Sequence, residues 1–243
     1  MYQPRTYRHW VKGDDLVDFR VAVKETDLYL RAASDLHRKA HRLVLKHREG
    51  IEKYIARHPD FLTSLEPLDV EADAPKIVRA MADAARLCGV GSMAAVAGAI
   101  AEYVGKELLE FSPEIIVENG GDIYLKSRCR RTIGVFAGGS PLTGKLGLQI
   151  EPQDTPLGIC TSSGTVGHSL SFGKADAVIV LAGSATLADA AATAIGNRVS
   201  DVNDIEKGIE LAQGIGQLQG VVIIKDDRLG VWGDIKLVAT GSE

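Results

Sequence analysis

Apolar and polar residues alternate near the start of the chain, and a helical spacing follows. Residues 16–33 alternate on either side of a Glu-Thr-Asp break, which predicts two adjacent strands in a hairpin. From Ser34 the apolar residues recur three and four positions apart until Pro59. This spacing predicts a long helix at about 34–58. Its many basic residues lie outside the apolar positions, so we expect a solvated basic face.

The rest of the chain groups its predicted strands in neighbouring runs between helices. Such grouping is typical of an α+β fold with helices packed on an antiparallel sheet, and not of a regular strand–helix repeat. No internal repeat and no flexible linker is visible, so we predict one domain over residues 1–243. Further helices are predicted at 75–88, 93–110, 185–197 and 203–217, and strands at 113–127, 131–139, 145–152, 158–163, 175–183 and 220–239.

Composition narrows the classes of partner. The chain has 45% hydrophobic and only 5% aromatic residues with a net charge of −4, which argues against nucleic acid as a partner. No apolar run has the length of a membrane span, and residues 1–15 lack the apolar core of a signal peptide. We therefore expect a cytoplasmic protein with no membrane partner. The three cysteines have neither disulfide-framework nor zinc spacing.

The segment from Gly158 to Asn197 holds most of the candidate chemistry. Hydroxyl groups and His168 lie among glycines in its first part, a composition that can cradle phosphates. A buried strand is predicted next, and then a helix with Thr186 as its N-cap, Asp189 in its first turn and Thr193 on the same face. Two interpretations remain open. Asp189 either completes a local capping arrangement or joins Thr193 in holding a hard cation such as Mg²⁺.

A second candidate segment is the hairpin signal Glu-Asn-Gly-Gly-Asp-Ile. Asn119 and Asp122 bracket Gly120 and Gly121, and the turn is expected to need a positive φ at one or both glycines. The two polar residues either satisfy the turn or contact a ligand. Two further features have a simpler alternative. The glycines at 89 and 91 suit either a pyrophosphate or a tight helix–helix turn, and the histidines at 37 and 41 suit either a metal or solvent.

Three segments resemble, in order, motifs of the ApbE-like family, the FAD:protein FMN transferases. Ala-Asp-Ala-Ala-Ala-Thr-Ala at 188–194 resembles the family's A-D-A-x-A-T-A signature, 160–164 its T-S-G segment, and 118–124 its N-x-G-G-D-I segment. The resemblance implies a T-fold with antiparallel sheet and packed helices, and Mg²⁺ held by Asp189 and Thr193. It also implies His168 as the catalytic acid or base, and FAD or FMN as a ligand of Asn119, Gly120, Gly121, Asp122, Thr161, Ser162, Ser163 and Gly164.

Departures from the family pattern bear on the reaction more than on the fold. Ala97-Gly98 stands where the transferases have Lys-Gly, and the loop after His168 is shorter than theirs. The chain is most similar to a shorter branch of the superfamily. We expect a small-molecule nucleotide ligand, namely a flavin nucleotide bound with magnesium and hydrolysed or transferred. Open alternatives are a non-catalytic flavin- or nucleotide-binding protein and a T-fold enzyme acting on a purine- or pterin-like substrate. Homo-oligomerisation is also left open.

Overall fold

A computed structural model describes residues 15–165 and 172–240. The helices predicted from periodicity are all present, although two of them begin with a separate 3-10 turn, at 92–95 and 202–204. A short helix that was not predicted lies between the helices expected at about 34–58 and at 75–88. The helices are α1 (His37–Arg57), α2 (Asp60–Thr63), α3 (Lys76–Cys88), α4 (Val96–Leu108), α5 (Ala185–Gly196) and α6 (Ile205–Gly214).

Eleven strands are found in the described part of the chain. They are β1 (Val17–Val23), β2 (Thr26–Ala32), β3 (Ile115–Asn119), β4 (Asp122–Lys126), β5 (Arg131–Gly134), β6 (Leu146–Ile150), β7 (Leu157–Ser162), β8 (Ala177–Ala182), β9 (Leu218–Lys225), β10 (Arg228–Gly233) and β11 (Leu237–Ala239). Eight of them form one antiparallel sheet in the order β1-β2-β3-β4-β7-β8-β9-β10. The α+β class with an antiparallel sheet and packed helices is therefore confirmed.

The remaining strands form a second, three-stranded antiparallel sheet in the order β11-β6-β5. The sequence predicted these strands but not their separation from the main sheet. Side chains of alternate strand residues point to opposite faces of a sheet, and the central strands β3, β4 and β8 bury residues on both faces. One face packs against α1, α4, α5 and α6, with α3 packed on α1, α4 and α5, and the other face packs against apolar residues of β5 and β6, including Ile133 and Leu148.

The long helix α1 buries a stripe of residues against the main sheet and α4. The buried positions are Ala40, Val44, His47, Ile51 and Tyr54, which recur at helical spacing. The expectation of a basic helix with a solvated face is right for most of its cations and wrong for His47. His47 follows Val44 by three residues on the packed face, and its Nε2 lies 2.8 Å from Glu107 Oε1 on α4.

In the described residues, no single helix is both long and apolar enough to cross a membrane. One bent pair of helices, Lys76–Cys88 with Ser92–Leu108, passes the length and composition test only when the two are joined, across a bend of 106°. Both members of that pair bury many of their residues in the core of this structure.

Candidate functional site

The hairpin turn between β3 and β4 has the predicted geometry. Asn119 pairs with Asp122 across a two-residue loop, and both loop glycines have positive φ, 70° at Gly120 and 111° at Gly121. Two-residue hairpin loops with positive φ at both positions favour glycine because it has no Cβ. The turn is tied to the start of α4, since the side-chain amide of Asn119 donates a hydrogen bond to the carbonyl of Ala97 at 3.1 Å.

Asp122 lies buried on the helix-covered face of the main sheet. Tyr124, two residues further along β4, belongs to the core under the helices, and alternation places Asp122 on the same face. The backbone N–H of Thr161 on β7 donates to Asp122 Oδ1 at 3.3 Å. By the same alternation, the side chain of Thr161 belongs to the opposite face together with Ile159. Thr161 therefore contributes its backbone amide to Asp122, and not its hydroxyl.

The N-cap of α5 is Ser184, so the prediction of Thr186 as N-cap was wrong. Ser184 has extended backbone angles, and its hydroxyl accepts a hydrogen bond from the N–H of Leu187 at 3.3 Å. Thr186 is already helical, and its hydroxyl instead donates to Glu102 Oε2 at 2.9 Å. The expectation that Asp189 lies in the first turn of α5 was also wrong, because the helix begins two residues earlier than that cap implied. Asp189 cannot cap its own helix from this position.

Asp189 binds the first turn of a different helix. Its Oδ2 accepts a hydrogen bond from the N–H of Gly98 on α4 at 2.8 Å. A carboxylate at this place satisfies an N–H that has no partner within α4 and interacts favourably with the positive end of the helix. The approach of the two helices is close. A Cβ at Gly98 would lie 2.3 Å from the carbonyl oxygen of Ala185 and 2.8 Å from Asp189 Cβ, so glycine is required there.

Asp122 and Asp189 are close enough for their charges to interact. Burial and then the neighbouring Asp189 raise the pKa of Asp122 well above its ordinary value. Burial likewise raises the pKa of Asp189, against the effect of the amides of Gly98 and Ala97. No Lys, Arg or His within 15–165 and 172–240 forms an ion pair with either carboxylate. Asp122 is buried and Asp189 is half-buried, so the pair forms an acidic position without a compensating cation from that part of the chain.

Cys160 is the third buried group at this position, and it was not among the predicted site residues. It precedes Thr161 on β7, and its thiol donates to the carbonyl of Ala185 at 3.2 Å. Burial, followed by the charges of Asp122 and Asp189, raises the pKa of Cys160 well above that of an ordinary thiol. Cys160 is therefore a neutral packing group beside the carboxylates and not a nucleophile.

Thr193 and Ser162 extend the position along α5. Thr193 lies about one helical turn after Asp189 on the same face and is half-buried. One turn further on, a Cβ at Gly196 would lie 3.4 Å from the hydroxyl oxygen of Ser162. Asp189, Thr193 and Gly196 therefore form a line along α5 that faces the end of β7. Ser162 is the predicted hydroxyl residue that meets this line.

Ser163 and Gly164 take part in the turn after β7. The hydroxyl of Ser163 accepts the N–H of Thr165 at 3.1 Å, and the N–H of Gly164 donates to the carbonyl of Ala175 at 2.9 Å. Ser163 and Gly164 therefore form hydrogen bonds that stabilise the turn itself. His168, the predicted catalytic residue, lies outside the described residues.

A third acidic residue of the site region, Glu102, was missed by sequence reasoning. It is buried on α4, and its Oε2 accepts hydrogen bonds from Ser184 and Thr186 at the start of α5. The available signal was weak. Glu102 follows Gly98 by four residues and so lies on the face of α4 that meets α5.

The described residues also contain a cluster of possible metal ligands and a surface cavity, both separate from this site. The ligand atoms of Asp15, Glu114 and Cys129 lie within 4.8 Å of one another, but the guanidinium of Arg131 binds both carboxylates. Arg131 therefore supplies the positive charge that a metal would supply. A cavity of about 470 Å³ is lined by Gly139, Ser140, Pro141, Asp176, Asp226 and Asp227, and its lining includes neither Asp122 nor Asp189.

Comparison with solved structures defines the class of fold. The chain superimposes on the flavin transferase ApbE from Vibrio cholerae with a TM-score of 0.58 at 14% identity, covering 89% of this chain and 96% of that one. It superimposes on the ApbE protein from Thermotoga maritima with a TM-score of 0.55 at 13% identity, covering 88% and 96%. The protein therefore has the fold of the ApbE proteins.

Sequence comparison then gives the family. A family model described as "AbpE bacteria" matches residues 8–213. The UPF0280 protein MJ1526 of Methanocaldococcus jannaschii is 46% identical over 228 residues, covering 91% of this chain and 93% of the relative. The UPF0280 protein of Methanococcus aeolicus is 41% identical over 226 residues, covering 90% and 91%. The chain belongs to this ApbE-like family, which confirms the resemblance drawn from the three motifs.

Proposed function

We propose that this protein binds a flavin nucleotide, FAD or FMN, together with Mg²⁺ at the position formed by Asp122, Asp189 and Thr193. The observation that carries the proposal is a pair of neighbouring carboxylates, buried Asp122 and half-buried Asp189, without a cationic partner among the described residues. Two like charges in a buried position are costly, and a bound divalent cation offsets that cost. The choice of a flavin as the ligand rests on solved structures of the same fold, two of which are named as flavin or flavinyl transferases.

The residues of the position fit magnesium. Mg²⁺ prefers oxygen ligands, takes few of them from protein, and fills its octahedral shell with water and phosphate oxygens. In the proposal, Asp189 and Thr193 hold the ion from one face of α5, and Asp122 faces it from β4. Asp189 remains bonded to the N–H of Gly98, which would fix the orientation of the carboxylate. Bound Mg²⁺ would neutralise a pyrophosphate and polarise its phosphoryl oxygens.

The remaining predicted residues would form the nucleotide's surroundings. The Gly120–Gly121 turn would let the ligand approach the backbone, and Asn119 would hold that turn against α4. The backbone of Thr161, the hydroxyl of Ser162, and Ser163 and Gly164 would surround the nucleotide at the end of β7. His168 stays the proposed acid or base, because its ordinary pKa near 6.5 suits proton transfer at neutral pH.

The chemical step that we propose is hydrolysis of the nucleotide or, less favoured, its transfer to an acceptor. Efficient phosphoryl transfer usually draws on several positive groups. Ala97 stands next to Gly98, where the resemblance implies a lysine, and no described cation pairs with the two carboxylates. The second candidate function is binding of the nucleotide without hydrolysis or transfer. The lack of a described cation at the two carboxylates favours this candidate.

Ligand-dependent stability tests the proposal. We expect FAD or FMN to raise the melting temperature in the presence of Mg²⁺ and to lose most of that effect with EDTA, because a ligand that binds only the folded state stabilises it. Asp189→Ala should abolish the magnesium-dependent increase. Asp201→Ala, which removes a helix-capping carboxylate elsewhere, should retain it. An Asp189→Ala protein with the wild-type increase would contradict the metal site, and stabilisation by purines or pterins in place of flavins would contradict the ligand.

A further inference from the structure

The buried carboxylate of Glu102 holds the start of α5 from a neighbouring helix. Glu102 is 3% exposed, and its Oε2 accepts three hydrogen bonds. The donors are the hydroxyl of Ser184 at 2.7 Å, the N–H of Thr186 at 2.9 Å and the hydroxyl of Thr186 at 2.9 Å. The other oxygen contacts the ammonium group of Lys106. Every oxygen of this buried carboxylate therefore has a partner.

Glu102 and Asp189 form a reciprocal arrangement between α4 and α5. Glu102 on α4 binds the first turn of α5, and Asp189 on α5 binds the first turn of α4 at Gly98. Each carboxylate thus satisfies N–H groups that the other helix leaves free at its N-terminus. Capping usually comes from the helix's own N-cap residue, so this exchange couples the two helices to each other.

The two contacts lie about one helical turn apart on both helices. Gly98 and Glu102 are four residues apart on α4, and Thr186 and Asp189 are three apart on α5, so each pair occupies one face. The apolar packing of α5 on β7 and β8 is not directional, whereas hydrogen bonds to fixed groups on α4 are. Two contacts at different heights restrain both the rotation and the axial position of α5 against α4.

We infer that Glu102 is a positioning residue for the metal site: it fixes α5 so that Asp189 and Thr193 present their oxygens together. The inference rests on the proposed function, since it concerns the same site. Glu102 is not itself a ligand of the ion. It acts through its hydrogen bonds to Thr186, which hold α5 in place. Residues that orient metal ligands in this indirect way commonly change metal affinity by about 10- to 100-fold.

The charge state of Glu102 agrees with this role. Burial by itself would raise the pKa of Glu102, but hydrogen bonds from Lys106, Thr186 and Ser184 hold its pKa below the ordinary value. Glu102 is therefore an anion at neutral pH, and an anion is the stronger partner for the N-terminus of α5.

Manganese binding to the full-length protein tests the inference, with Mn²⁺ alone as the probe and electron paramagnetic resonance as the readout. We expect Glu102→Ala to weaken Mn²⁺ binding about 10-fold or more, measured at a temperature where the variant is folded. Glu102→Gln, which keeps an oxygen acceptor for Thr186, should recover most of the affinity. Thr186→Val removes one of the three hydrogen bonds at similar volume and should weaken binding by a smaller factor, so the test stands even if Glu102→Ala does not fold.

Asp204 offers a control for loss of stability. Its carboxylate also accepts three hydrogen bonds, from the N–H groups of Ser200 and Asp201 and from the ammonium group of Lys207. Asp204→Ala should lower the melting temperature and leave Mn²⁺ affinity unchanged. Wild-type affinity in Glu102→Ala together with loss in Asp189→Ala would overturn the positioning role alone. Wild-type affinity in Asp189→Ala would overturn the metal site itself.

Discussion

The carboxylate of Asp189 has two separate effects on the stability of the protein, one from its hydrogen bond and one from its charge. One of its oxygens holds the N–H of Gly98, which is a structural contact between α4 and α5. Its negative charge is a separate matter, because the charge lies near Asp122 and has no cationic partner within the described residues. The hydrogen bond stabilises the fold, whereas the charge is unfavourable until a cation binds. The two effects can be separated by substitution.

Asp189→Asn is predicted to keep the structural contact and remove the charge. The amide oxygen can still accept from Gly98, and the repulsion with Asp122 disappears. In metal-free buffer at pH 8 we expect the free energy of unfolding to stay equal or to rise by about 1 kcal/mol, the scale of an uncompensated buried polar group. Mg²⁺ should no longer stabilise the variant. Chemical denaturation with and without Mg²⁺ measures both, and a large loss of metal-free stability would show that the charge itself supports the fold.

His47 is predicted to weaken the protein at acid pH. Burial lowers the pKa of His47, Glu107 opposes this and Lys46 adds to it, while the ring meets Tyr103 edge-on at 5.4 Å. The unfolded chain, with its ordinary pKa near 6.5, then binds the proton more readily than the folded one. The stability contributed by neutral His47 is complete above about pH 6.5 and is lost as the pH falls through the lowered folded value.

Melting curves between pH 7 and pH 5 test this prediction. His47→Gln should show a smaller fall in melting temperature than the wild type over that range. The matched variant His37→Gln changes an exposed histidine of the same helix and should keep the wild-type slope. Equal slopes for wild type and His47→Gln would contradict the assignment of the buried neutral ring.

At the scale of secondary-structure elements, the sequence pattern correctly predicted those features that depend on neighbouring residues alone. The helices, the strands and the glycine turn between β3 and β4 follow from spacing and from the demand for positive φ. The predicted start of α5 was wrong, because Ser184 and Thr186 are both residue types that favour the N-cap position. The choice between them depends on Glu102, which is 84 residues away from Thr186. A contact of that sequence separation leaves no local pattern.

The β3–β4 turn gives a prediction at this scale. Gly121→Ala should destabilise the protein by about 1–3 kcal/mol, because φ is 111° there and a residue with a Cβ is strained at that angle. The added Cβ itself meets no atom closer than 3.9 Å, so backbone strain is the only cost. Gly139→Ala is the control, since that glycine needs no positive φ and its Cβ would meet open space. Equal unfolding midpoints for the two variants would contradict the turn geometry.

At the scale of the molecule, two apolar layers enclose the main sheet. Helices cover one face, and the small sheet of β5, β6 and β11 covers part of the other. Alternation within each strand predicted half-buried or buried strands, but it could not assign them to two sheets, since pairing between distant strands is decided by packing. The convergence of Asp122 with Asp189 was likewise out of reach of spacing, and only the resemblance to the family brought those residues together beforehand.

The second apolar layer gives a prediction for the whole chain as one domain. Leu148 on β6 is 1% exposed, and Leu148→Ala should cost about 2–5 kcal/mol through the cavity it leaves. We expect calorimetry to show one unfolding transition at a lower temperature, because both layers share the main sheet. Leu229→Ala, at an exposed leucine of β10, should change stability little. Two separate transitions in the Leu148→Ala protein would contradict a single cooperative domain.

In the proposed site, Asp189 and Thr193 hold a divalent cation beside a flavin nucleotide. A crystal structure of the protein with FAD and Mn²⁺, with anomalous data collected on both sides of the manganese edge, tests it most directly. We predict an anomalous peak about 2 Å from a carboxylate oxygen of Asp189 and from the hydroxyl of Thr193, in contact with a phosphate of FAD. FAD bound without a peak at Asp189, or manganese found only between Asp15, Glu114 and Cys129, would contradict the account.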